Sequence, residues 1–108
     1  MPFSESLAAR IRDTLVRRTD FAEQKMFGGL CFLLRGNILV GVRRDSLIAR
    51  LGEAEASKAL TKSYVTQMGT RRPMKGWVII GPDGIDNDRQ LASWIEKAVE
   101  FVEGLPEK

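Results

Sequence analysis

Histidine is missing altogether from this 108-residue sequence, and cysteine occurs once, as Cys31. Without histidine there is no Ser-His or Cys-His nucleophile pair, no imidazole general base and no imidazole metal ligand. A lone cysteine forms no internal disulfide and is too few for a zinc site. No apolar run approaches the roughly 20 residues of a membrane-spanning helix. The opening Met-Pro-Phe-Ser also lacks the basic-then-apolar layout of a secretory leader. Gly28-Gly29 and Gly36 are not followed by the Gly-Lys-Ser/Thr ending of a phosphate loop. Asp83, Asp86 and Asp88 lack the twelve-residue calcium pattern, so they read as helix-capping acids. The expectations are a cytoplasmic protein that is not an enzyme, with no catalytic residue, no cofactor, no metal and no membrane partner.

What is present is ordinary for a folded domain: 44% hydrophobic and 29% charged residues, a composition that buries a core without help. The length suits one domain, 1–108. The net charge of +3 is unevenly spread, with 14 basic against 7 acidic residues in 1–75 and 3 against 7 in 76–108. Such asymmetry serves a nucleic-acid surface, or it draws together two parts of one fold or two subunits. The second reading is the simpler.

Residues 4–18 read as an amphipathic helix, with Ser4 as N-cap and Leu7, Ala8, Ile11 and Leu15 on one stripe. From Glu23 to Gly52 the period changes to that of strands, punctuated by Gly28-Gly29, Gly36-Asn37 and Arg44-Asp45, which predicts a four-stranded antiparallel meander. A two-residue Gly36-Asn37 turn pairs Leu33 with Val40 and Cys31 with Val42. A two-residue Arg44-Asp45 turn pairs Val42 with Leu47. One face then carries Cys31, Leu33, Ile38, Val40, Val42, Leu47, Ala49 and Leu51, which is the face for helices. The other carries Leu30, Phe32, Leu34 and Leu39, too apolar for water: either the short helix after Gly52 or the connector folds over it, or, as the first choice, a second copy of the chain covers it in a homodimer, with Arg43 and Arg50 at the rim. Glu53 to about Leu60 predicts a short helix, and Thr61 to Lys75 a polar, mobile connector. Gly76 to Ile80 predicts a fifth strand. The closing helix starts at Asp88, capped by Asp86 or Asp88, with Leu91, Trp94, Ile95, Ala98 and Val102 inward and a glycine stop at Gly104.

The remaining candidates for a site are basic. Arg43 and Arg44 occupy a hairpin tip, and Arg71, Arg72 and Lys75 the connector, where they could meet phosphates of a nucleic acid or acids of a protein partner. No recognition helix or basic aromatic platform accompanies them, so nucleic-acid binding is the alternative rather than the first choice. A second alternative is a small-ligand binder or enzyme, with the connector as lid and Tyr64, Arg71, Arg72 and Lys75 as its polar groups.

Lys25-Met26-Phe27-Gly28-Gly29-Leu30-Cys31-Phe32, then Gly36-Asn37 and the run to Val42, then Pro73-Met74-Lys75-Gly76-Trp77-Val78 resemble the N-terminal domain of the TfoX (Sxy) competence-regulator family. The resemblance implies a two-layer α/β domain with an antiparallel sheet; with the elements above, the expected fold is α+β, a two-layer α/β sandwich with an antiparallel sheet of about five strands and the N-terminal and C-terminal helices packed on one face. In full-length competence regulators this domain precedes a helical one, and the protein promotes DNA-uptake genes together with a cyclic-AMP receptor transcription factor. The chain here reads as the first domain alone. The leading expectation is therefore a stand-alone regulatory module acting through contacts with a protein partner that the sequence does not name.

Overall fold

The computed structural model describes residues 3–26, 28–69 and 71–107; Phe27, one of the motif positions, lies outside them. Ser4 caps helix α1 (Glu5–Val16) by accepting a hydrogen bond from the Leu7 amide, and Leu7, Ala8, Ile11 and Leu15 form its buried stripe. The meander follows as β1 (Ala22–Met26), β2 (Gly29–Leu34), β3 (Asn37–Arg43) and β4 (Ser46–Arg50). Helix α2 (Glu53–Ala59), strand β5 (Val65–Gln67), strand β6 (Trp77–Ile80) and helix α3 (Asp88–Glu103) complete the chain. Every neighbouring pair of the six-stranded sheet is antiparallel, in the order β1-β2-β3-β4-β6-β5. Helices α1 and α3 pack against one face and each other, as the sequence predicts, over a single core that also takes in Ala56 and Ala59 of α2.

The sixth strand is a departure. Val65–Gln67 belongs to the stretch expected to be a mobile connector, and it forms the edge beside β6. Three residues carry too little periodicity to be seen alone; they extend because β6 offers them an unpaired edge.

A second departure reverses the reading of β2. The turn between β2 and β3 is Arg35-Gly36, both with positive φ (50° and 84°), and Leu34 pairs with Asn37. That is the two-residue turn whose twist matches flanking strands, placed one residue earlier than Gly36-Asn37. Asn37 is instead the buried start of β3, where its side-chain amide donates to the Pro106 carbonyl at 2.9 Å. The slip would turn all of β3 over, but Leu39 is an extra residue between the Leu33↔Ile38 and Phe32↔Val40 pairs. This bulge restores the inward direction of Val40 and Val42. The expected Val42↔Leu47 and Val40↔Ala49 pairs therefore form, while the parity of β2 is inverted.

Leu30, Phe32, Leu34 and Leu39 consequently lie in the core under the helices, with Phe32 and Leu39 wholly buried. They are not a dimer face. The face turned away from the helices is made by alternation of Cys31, Leu33, Ile38, Gly41, Ile48 and Ile79. Cys31, expected under the helices, sits here, buried beside Gly41, where an added Cβ would meet its sulfur at 3.0 Å.

Candidate functional site

The charge asymmetry has a structural use. Arg18 at the end of α1 reaches α3 and donates from Nε to Glu96 at 3.0 Å and from Nη1 and Nη2 to Glu103, both at 3.0 Å. Arg10 joins Asp88 at 3.2 Å and the Ile85 carbonyl at 2.9 Å. Arg12 forks onto Glu23 of β1 at 2.6 and 2.9 Å. Hydrogen bonds from these guanidinium groups hold the Glu103 and Glu23 carboxyls below their ordinary range. Basic α1 and acidic α3 are thus two parts of one fold that attract each other.

The five basic candidates fall into two groups at opposite ends of the sheet. Arg43 ends β3 and Arg44 opens the β3–β4 turn, where the Arg44 carbonyl accepts from the Ser4 amide at 2.6 Å. Arg71, Arg72 and Lys75 lie between β5 and β6, beside the far end of β4, since Arg50 pairs with Trp77. About six strand residues separate the groups, roughly 20 Å at ~3.3 Å per residue. They do not form one contiguous patch. The segment that carries the second group is tied at its base: Gln67 Nε2 donates to the Met74 carbonyl at 2.9 Å, and the Met74 amide donates to the Met68 carbonyl at 2.9 Å.

Tyr64 precedes β5 and Arg71 follows it, so the two stand at opposite ends of that strand and the expected lid over Tyr64 is not assembled. A cleft of about 310 Å³ does open beside Tyr64, but its cations are Lys62, Arg89 and Lys97. Sequence reading missed all three. Arg89, Ser93 and Lys97 recur every fourth residue along the closing helix, which was legible as a stripe; that Lys62 faces it was not.

Two further features complete the surface. A cleft of about 340 Å³ on the other side of Lys97 is bordered by Glu53, Glu55, Glu100 and Phe101. Close to it, the Arg50 guanidinium stands 5.2 Å from the Trp77 ring and 5.9 Å from the Phe101 ring. Cys31 offers little chemistry, because burial pushes its thiol up to about 11 and the thiolate is the reactive form. The cap of α3 is Asn87, which accepts from the Gln90 amide while Gln90 accepts from the Asn87 amide. Neither Asp86 nor Asp88 has that role. Among the described residues no group of three or more cysteine, aspartate or glutamate side chains is gathered as a metal site would need.

Among curated proteins and solved structures the comparisons found no match to the chain. The family model described as TfoX N-terminal domain, however, matches residues 13–102, a span that runs from the last turn of α1 almost to the end of α3 and takes in the whole sheet. The chain belongs to the TfoX N-terminal domain family.

Proposed function

We propose that this domain is a cytoplasmic regulatory module that acts through protein contacts, in transcriptional control of the competence type. Membership of the TfoX N-terminal domain family carries the reading. The contact surface in this proposal is the sheet face without helices, where Leu33, Ile38, Trp77 and Ile79 are only half-buried. Antiparallel sheets that face water alternate apolar with polar side chains; here Leu33, Ile38, Ile48 and Ile79, on four successive strands, keep the outward positions apolar. A second copy of the chain is the first partner in this reading, so the homodimer is proposed on this face and not through Phe32.

Light scattering during size-exclusion chromatography tests the self-contact, and pull-down from a bacterial lysate tests contact with another protein. Ile38→Asp removes apolar character from the face without entering the core. The expected outcome is that the wild-type chain forms a dimer or captures a defined protein, and that the variant, folded by circular dichroism, loses it. A monomeric wild type that retains the same proteins as the variant would sink the reading.

A further inference from the structure

The cleft beside Tyr64 gathers cations that form no ion pair among the described residues. Arg89 and Lys97 stand at either end of an α3 stripe with Ser93 between them, about 12 Å long at 1.5 Å per residue, and Lys62 faces this stripe across the cleft. Among the described residues the ion pairs engage Arg10, Arg12, Arg18 and Lys58, and none of these three. Lys97 lies over the Trp94 ring at 5.0 Å. No acid lines the cleft, whereas Glu53, Glu55 and Glu100 line the neighbouring cleft, which Lys97 also borders. Ser93 and Tyr64 also line it, and neither hydroxyl takes part in a hydrogen bond among the described residues.

We propose that this cleft binds the phosphate of a small phosphorylated molecule of about mononucleotide size. Three like charges brought round one hollow repel one another, and an anion between them reverses that sign. A guanidinium fork, two ammonium groups and two hydroxyl donors suit the many acceptor oxygens of a phosphate. The volume, about 310 Å³, is at the small end of ligand pockets. The wall is firm: the Tyr64 ring lies so close to Gly84 that an added Cβ would come within 2.4 Å of it, and Trp94 Nε1 donates to the Gly84 carbonyl at 2.9 Å. The cleft is separate from the sheet face, so this inference stands whether or not the protein-contact reading holds.

Titration of the full chain at low salt with AMP, ribose 5-phosphate and adenosine, followed by calorimetry, tests the proposal. Saturable binding of the two phosphates and none of adenosine is expected. Lys62→Ala and Arg89→Ala, at exposed side chains with no ion pair, each weaken it about tenfold, the loss of one charge-assisted hydrogen bond. AMP binding more tightly than ribose 5-phosphate assigns the base to the Tyr64 wall, and equal affinities assign the phosphate alone; both support the site. Absence of saturable phosphate binding, adenosine binding equal to AMP, or affinities unchanged in both folded variants overturns it. Duplex DNA bound through the same residues without any binding of AMP overturns it too, in favour of a nucleic-acid backbone contact.

Discussion

Gly29 and Gly36 are both glycines at hairpins, yet they are required for different reasons. Gly36 has a positive φ of 84°, which side-chain-bearing residues adopt with strain. Gly29 lies in β2, and an added Cβ there would sit 2.0 Å from the Val42 carbonyl oxygen and 3.2 Å from the Arg43 Cα. Both neighbours are backbone, so relief means parting two paired strands. Gly29→Ala is therefore expected to cost ~2–3 kcal/mol, as overpacking does, and Gly36→Ala ~1–2 kcal/mol, the left-handed penalty. Urea denaturation of both variants measures this, and an order reversed between them would refute the assignment. The Gly28-Gly29 hairpin was legible in the sequence because glycine pairs mark turns. That the second glycine serves the approach of a third strand was not, since Val42 is thirteen residues away.

At the scale of elements, local signals placed most pieces correctly and misjudged their junctions. The stripes of α1 and α3 repeat every three or four residues, and every position named in them is buried. The start of α3 was misread because Asp86 and Asp88 flank Asn87, and either could accept from an amide there. The structure selects Asn87 through the reciprocal bonds with Gln90, at 2.8 and 3.2 Å. Asn87→Ala is expected to lower the unfolding free energy by ~1 kcal/mol, whereas Asp86→Ala changes it by less than about 0.5 kcal/mol, as an exposed side chain without a structural bond should. Chemical denaturation of the two variants decides, and equal losses would return the cap to the acids. The β2–β3 junction shows how far a small misplacement carries. Moving the turn by one residue exchanges the faces of a strand, so Leu30, Phe32 and Leu34 pass from a presumed interface into the core.

For the whole molecule, the basic first part and the acidic last part meet between α1 and α3, while Arg12 pairs with Glu23 of β1 inside the first part. Glu23 and Glu103 have carboxyls held below the ordinary value of 4.5 by bonds from Arg12 and Arg18. A carboxyl with a depressed folded value contributes stability above its unfolded value and loses it as pH falls through the folded one. The fold should therefore weaken as pH drops below about 4.5, with Arg18→Ala showing a lower melting temperature at neutral pH and a smaller further drop in acid. Melting curves from pH 7 to pH 3 check this, and parallel curves for the two proteins would contradict it. Because these pairs are exposed, salt should reduce the difference at neutral pH.

The sequence by itself determined the helix or strand character of the named elements other than Val65–Gln67, that the sheet is antiparallel, and that a helix at each end covers one face of it. Those properties depend on periodicity and turn chemistry within a few residues, and they persist in any arrangement of the chain that buries its apolar stripes. Only the tertiary structure decided the inward parity of β2, the pairing of Val65–Gln67 as a sixth strand, the separation of Arg43 and Arg44 from Arg71, Arg72 and Lys75, and the meeting of Lys62 with Arg89 and Lys97. Each of these depends on which backbone lies beside which. That is a non-local choice, made by a bulge at Leu39, an unoccupied edge on β6 and the packing of Tyr64 on Gly84, none of which has a signature in the residues next to it.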